Sequence, residues 1–227
     1  MGRAKESWQT MNGIDRLLTL ADRNAEAGER LQAQAPRFLA YKDRHRLGTA
    51  PRAVTGFNLF QTPPEIAQKM ADAVLYGLKT ESRILEPSAG LGRLVEPFNS
   101  MEIDRLRLQW ESVEENFECV RAIRQGLKQL KRTMQADFLS LSSHDLGGEF
   151  DAVIMNPPFK QGRDIKHIQH ALGMIKPGGK LVSLCYNGVK QNKILKSMSD
   201  KWEVLPESSF KSEGTAASVA MIIIKKQ

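Results

Sequence analysis

The 227-residue chain predicts an α/β fold, with a mostly parallel, open sheet of seven strands and helices on both faces. Three observations predict it. From about residue 62 onward strand-like and helix-like apolar patterns alternate, as they do where parallel strands are joined by crossover helices. The strand at Ala152-Val153-Ile154-Met155 is a short continuous apolar run, the pattern of a strand covered on both faces. The last two strand candidates, "KWEVLPE" and "ASVAMIIIKK", have no room between them for a crossover helix and should pair antiparallel.

The elements follow in order. Residues 1–55 stand apart. Ile14, Leu17, Leu18, Ala21 and Ala25 recur at helical spacing, predicting a helix over about 12–34 that ends before Pro36. A second short helix runs through "RFLAYKDRHR", and "LGTAPRAVTG" reads as a loop. These residues form a helical N-terminal appendage, and residues 56–227 form the main domain. "TPPEIAQKMADAVLYGL" is a helix with Thr62 as its N-cap and proline in the first turn. "RILEPSAGLGRLVEPF" is a strand, a glycine loop and the start of a helix. "LRLQWESVEEN" is a strand and "FECVRAIRQGLKQL" a helix with Val120, Ile123, Leu127 and Leu130 on one face. "TMQADFLSL" is a short strand and its exit, and "DAVIMNPPF" a strand. "DIKHIQHALGMI" is a helix, "KPGGKLVSLCY" a turn and strand, and "KQNKILKSMS" a helix.

Composition excludes several classes. Hydrophobic residues make up 41% and charged residues 26%, ordinary for a globular protein. No apolar run approaches a membrane span, and the N-terminus has no signal-peptide core. Cys119 and Cys185 fall inside apolar segments and read as reduced core residues, which places the protein in the cytoplasm. Two cysteines and four scattered histidines do not suit a structural zinc site, so no metal is expected. The net charge is +7, and the stretch 160–196 carries eight Lys/Arg against the single acid Asp164. That excess points to a polyanionic partner.

Ligands of such sheets bind beyond the carboxyl ends of the strands, which selects the residues of interest. After the first strand stand Glu86, Pro87, Ser88, Ala89, Gly90, Leu91 and Gly92, small enough to let the backbone approach a ligand. The second strand ends at Glu114, about two dozen residues past Gly90, where a carboxylate can take both hydroxyls of a ribose. The third ends at Asp137 and Phe138, an acid and an apolar wall suited to an adenine ring. By itself Asp137 could equally cap a turn. The fourth runs into Asn156, Pro157, Pro158 and Phe159. The prolines lack N–H groups and fix φ, so the ladder stops there and Asn156 and Phe159 are held with little freedom. His167 and His170 read as residues of a helix packed beside the sheet.

Taken together, these residues in this order and spacing resemble the class I S-adenosylmethionine-dependent methyltransferases that act on amino groups, a Rossmann-like family. The Asn-Pro-Pro-Phe tetrapeptide is similar to that of the adenine-N6 DNA methyltransferases, especially the small phage and mobile-element type. The resemblance covers residues 56–225. It implies that Phe60, Gln61, Thr62 and Pro63 lie near the methionine end of the cofactor, and that Glu86 to Gly92, Glu114, Asp137, Phe138 and Asn156 bind the rest. It implies DNA as the partner, with RNA or a protein glutamine amide as alternative substrates. A catalytically idle nucleic-acid-binding module is a further alternative, which the intact site residues oppose.

An aromatic amino group is a poor nucleophile because its lone pair is delocalised into the ring. Asn156 and the Pro157 carbonyl would accept from its N–H groups and localise that pair, Pro158 would stiffen the frame, and Phe159 would stack on the base. Lys160, Arg163, Lys190, Phe210 and Lys211 are expected around the pocket as substrate contacts, mostly to phosphates, which position nucleic acid without reading it. Eighteen residues separate Asp137 from Asn156 and 68 follow Phe159, nearly all used by the fold. Relaxed sequence specificity is the expectation. Oligomeric state is not legible.

Overall fold

The computed structural model describes residues 61–127, 130, 132–213 and 215–227. The expected N-terminal helices, the boundary at 55/56 and Phe60 lie outside them. Seven strands form one sheet in the order β3-β2-β1-β4-β5-β7-β6. They are β1 Arg83–Glu86, β2 Gln109–Glu114, β3 Met134–Gln135, β4 Phe150–Met155, β5 Ile175–Tyr186, β6 Lys201–Val204 and β7 Val219–Lys225. β1 to β5 pair parallel, and β7 pairs antiparallel with both β5 and β6. The helices are α1 Pro64–Leu75, α2 Met101–Asp104, α3 Phe117–Gly126, α4 Arg163–Leu172 and α5 Val189–Ile194.

Successive residues of a strand face opposite sides, and here both sides are buried. Ile84, Ala152, Ile154, Val182 and Leu184 join the core shared with α1 and α3 through Ile66, Met70, Val74 and Ile123. Leu85, Val153, Met155, Leu181 and Cys185 join the opposite core with Ile165, Ile168 and Ala171 of α4. The continuous apolar runs are thus explained by two helical layers. The order of the strands reverses between β1 and β4, parallel neighbours from which the two halves of the sheet diverge. Their carboxyl ends open the crevice that such topologies create.

Several local expectations need correction. Thr62 does not cap α1: the cap is Pro63, whose carbonyl accepts from the Ile66 and Ala67 N–H groups at 3.0 and 2.9 Å. No α-helix starts after the glycine loop. Residues 87–98 instead form successive turns closing in a 3₁₀ turn at Glu96–Phe98, with Pro97 inside it. α3 stops at Gly126, and Leu130 is buried beyond its end. The Lys176-Pro177-Gly178-Gly179 segment is not a separate turn but an irregular part of β5. β4 advances from Phe150 to Ala152 while β5 advances from Ile175 to Lys180.

Gly92 shows what shapes the loop. Its φ is +77°, and a Cβ there would run into Leu127 Cδ1. The positive φ is what calls for glycine here, since the Leu127 tip is the end of a flexible side chain. Gly92→Ala is expected to cost about 1–3 kcal/mol of stability, measurable by urea unfolding. An unchanged midpoint would show that the loop and Leu127 yield freely.

Candidate active site

The exits of β1, β2, β3 and β4 and the start of α4 enclose one cleft of about 620 Å³, within the roughly 300–1,000 Å³ of small-molecule sites. Gln61, Thr62, Glu86 to Gly90, Glu114, Asp137, Phe138, Asn156 to Phe159, Lys160 and Arg163 all line it.

The glycine loop is tied to the end of β2. The Ala89 N–H donates to the Val113 carbonyl at 3.1 Å. The Glu114 carboxylate accepts from the Gly90 N–H at 2.8 Å on one oxygen and from the Asn116 N–H at 2.7 Å on the other. Its plane is therefore fixed, and each oxygen keeps capacity for a further donor. Burial raises its carboxyl above the ordinary value, against the lowering effect of those N–H groups. Asn116 in turn caps α3, accepting from the Glu118 and Cys119 N–H groups.

Glu86, at the end of β1, is 1% exposed. Burial first, and the Glu114 charge second, push its carboxyl well above the ordinary value. Its Oε2 is buried and has no partner among the described residues, a costly state for a polar atom. Asp137 does cap a turn, accepting from the Leu139 N–H at 3.1 Å, yet it also lines the cleft. The two readings of that residue are compatible. Phe138 is a buried wall, packed against the His170 ring at 4.9 Å.

At the exit of β4, Asn156 Nδ2 donates to Thr62 Oγ1 at 3.1 Å. Thr62 is 3% exposed, so a buried hydroxyl orients the amide. Pro157 is buried, and Pro158 and Phe159 are half-buried. The Arg163 guanidinium reaches Glu115 at 3.8 Å, linking the start of α4 to the end of β2.

Other predicted residues lie elsewhere. Pro63 is buried away from the cleft as the cap of α1, and Gly92 serves the turn of its loop. Phe210, expected against the substrate, is 3% exposed and sits in the α1-side core. Its ring is apolar enough to be worth more inside than on a loop. Lys211 follows it in a 3₁₀ turn and does not line the cleft. Lys190 is exposed outside it, its ammonium beside Gly162. Of the basic run, Lys176 pairs with Asp151 at 2.8 Å and Lys180 donates to the Ala73 and Tyr76 carbonyls of α1. Those two charges serve the fold.

His167 lies on α4 beside the sheet as expected, and its side chain also reaches the cleft. It lines the cleft with 4% exposure, its Nδ1 lies 3.4 Å from Ser88 Oγ, and its Nε2 is buried without a partner among the described residues. Burial, followed by the Arg163 charge, lowers its pKa to about 4, so it is neutral at physiological pH. The clue was available: Arg163 and His167 are four residues apart and share a helical face. His170 behaves as expected, bonding the Leu141 carbonyl at 2.8 Å. Arg93, Leu94, Asn116 and Ala136 also line the cleft and carried no recognisable pattern. Cys119 and Cys185 are buried free thiols.

The methyltransferase small domain model matches residues 69–211. The rRNA N(6)-adenosine-methyltransferase metl-5 of Caenorhabditis elegans is 36% identical over 74 residues, 31% of this chain and 34% of that protein. A Listeria monocytogenes protein assigned to the class I S-adenosylmethionine-dependent methyltransferases superposes with TM-score 0.59 at 20% identity, covering 77% of this chain and 63% of that one. The type I restriction-modification methyltransferase subunit of Streptococcus thermophilus gives TM-score 0.63 at 18% identity, covering 74% and 44%. The chain thus spans about a third of the curated relative and less than two thirds of either solved chain. The two structures carry the fold alone.

The cofactor is S-adenosylmethionine, and the residues present fit it. The cleft has acids at the ends of β1, β2 and β3 and a buried aromatic wall. It also contains two buried polar atoms that lack partners among the described residues, Glu86 Oε2 and His167 Nε2.

Glu86 also makes stability depend on pH. Folded chains keep its proton above the pH at which unfolded chains release it, so the folded state binds more protons there and stability falls as pH rises. Urea unfolding of the cofactor-free protein across that window should show this decline, and Glu86→Gln should flatten it and raise stability at neutral pH. A Gln variant with an unaltered pH slope would show that Glu86 is not the group responsible.

Proposed function

The chain belongs to the methyltransferase small-domain family, and from that premise we propose that it transfers a methyl group to the N6 amino group of adenine in DNA. Bound S-adenosylmethionine supplies an electrophilic methyl group on a sulfonium. The observation that carries the reading is the Thr62-anchored Asn156 amide beside Pro157 and Phe159, at the mouth of the cleft that fits the cofactor. In the proposal the Asn156 side-chain oxygen and the Pro157 carbonyl accept from the target N–H groups. Both acceptors draw the nitrogen toward sp³ and localise its lone pair. Phe159 stacks on the ring. Holding reactants in line is worth about 7–11 kcal/mol, and the two prolines keep the frame from relaxing. Glu114 takes the ribose hydroxyls and Asp137 with Phe138 the cofactor's adenine, while Glu86, Ser88 and Gly90 surround its remainder.

A basic rim supports a polyanionic substrate. Lys160 and Arg163 line the cleft and Lys190 stands beside it, positioned for phosphates. Among the described residues, only a 3₁₀ turn at Phe138–Ser140 and the turn at 143–148 lie between β3 and β4, which supports relaxed specificity near the target base. In this reading residues 56–227 carry the chemistry, and residues 1–55 serve nucleic-acid contact or self-association, or merely cover the domain. A base in a duplex must be flipped out at a cost of a few kcal/mol. RNA is the second reading, favoured by the similarity to an rRNA adenosine methyltransferase over 74 residues.

Tritiated S-adenosylmethionine offered with duplex DNA, single-stranded DNA, RNA and total protein, followed by nucleoside analysis, tests the reading. The expected product is N6-methyldeoxyadenosine. Label in RNA adenosine would move the substrate to RNA, and label confined to protein would overturn the proposal.

Asn156→Ala should lower kcat by about 10²–10³-fold, as loss of a single transition-state partner does, with cofactor affinity retained. Thr62→Val, which removes one bond that orients the amide, should cost about 2- to 10-fold. Asp137→Ala should instead weaken cofactor binding in calorimetry. Loss of cofactor affinity in the Asn156 variant would contradict its assigned role.

A further inference from the structure

Tyr186 is an exposed aromatic residue at the strand end next to the cleft, without lining it. β5 ends at Tyr186 and runs parallel to β4 with Met155 opposite Ser183. Tyr186 therefore leaves the sheet one strand over from the Asn156–Phe159 exit, roughly 5 Å to the side. It is 41% exposed, yet it is firmly held. Its N–H donates to Asp164 Oδ2 at 3.0 Å. Asp164 is fully buried and also accepts from Gln191 Nε2 at 3.1 and 3.0 Å. One carboxylate thus joins the start of α4, the end of β5 and the first turn of α5. The Tyr186 ring lies against Gly188, where a Cβ would meet Cδ1 and Cε1 at 2.7 Å each. Any other residue at 188 would displace the ring.

Charge along the stretch that holds Tyr186 is almost all of one sign. Asp164 is the lone acid of residues 160–196, and it is buried with both oxygens engaged. Lys160, Arg163 and Lys190 flank the exit, and Val189 beside them is 90% exposed. An exposed aromatic side chain on an anchored backbone, one strand over from a cleft rim that carries cations, is a combination that suits unpaired nucleic acid, with bases stacking on the ring and phosphates on the cations.

We propose that Tyr186 is a stacking platform for the nucleobase next to the target, so that the strand is taken with the target and its neighbour both unstacked. The proposal rests on the nucleic-acid reading above and extends it to an unpaired strand.

The full-length chain is tested by fluorescence anisotropy with a labelled oligothymidylate containing one adenine, and with the same oligomer bearing abasic sites on both sides of that adenine. Tyr186→Ala should bind the intact oligomer about 5- to 150-fold more weakly than wild type, the range of one lost base stack. It should bind the abasic oligomer like wild type, and Tyr186→Phe should bind both like wild type. Unchanged cofactor affinity of the Ala variant checks its fold. Equal affinity of wild type and Tyr186→Ala for the intact oligomer would overturn the platform, as would an equal loss on both oligomers. Absence of binding by wild type would overturn it together with the proposed substrate. Transfer of tritium is read separately. If transfer fails while the Tyr186-dependent preference for the intact strand stands, the proposed reaction falls and the platform does not.

Discussion

β4 stops because Pro157 and Pro158 cannot donate to a ladder, and the chain therefore leaves the sheet on a rigid path at the point where strand order reverses. Much of the site depends on that constraint. The stop places Asn156 where the Thr62 hydroxyl can orient its amide and sets Phe159 at the cleft mouth. It also directs the chain through Gly162 into α4, which brings Arg163 and His167 to the cleft. The opposite wall is built by the Glu114 carboxylate, which holds the glycine loop against the end of β2 through the Gly90 N–H. The two walls meet at the switch between β1 and β4.

Energetics separate scaffold from site. The sheet carries apolar residues on both faces, and its strands satisfy their own backbone groups. The polar atoms that remain buried and unpartnered among the described residues include two at the cleft, Glu86 Oε2 and His167 Nε2, and one remote from it, Trp202 Nε1. Groups left unsatisfied in a folded chain reduce its stability. At the cleft this cost is set against a bound cofactor, which is the trade expected of a functional site. Asp164 is the contrasting case. Burial raises its carboxyl, but its hydrogen bonds are complete and it acts as a clamp.

The fold was legible because both of its signals are local and periodic. Apolar runs marked the buried strands, and the short link before the last strand predicted the antiparallel pairing. The strand-end acids were legible because the topology alone selects strand ends. What could not be read depends on contacts between distant segments. Thr62 resembles an N-cap until the fold brings Asn156 to it across 94 positions. Phe210 resembles a loop aromatic until the α1-side core receives it. Gly92 resembles a ligand-approach glycine, but the structure keeps it out of the cleft lining, in a turn whose φ is +77°. His167 resembles an ordinary helix residue until α4 turns the face it shares with Arg163 toward the cleft. Within the basic run, Lys176 and Lys180 are spent on Asp151 and on the end of α1, a use that no charge count reveals.

The central claim is that Asn156 and Pro157 form the acceptor pair for an amino group on a planar base. It is tested most directly by a crystal structure of the full chain with an inert cofactor analogue and an adenine-containing oligonucleotide. The account predicts the adenine N6 within hydrogen-bond reach, about 2.7–3.2 Å, of both the Asn156 side-chain oxygen and the Pro157 carbonyl, with the base stacked on Phe159. An adenine bound with its amino group turned away from those two oxygens, or a base that does not enter the cleft, would contradict it.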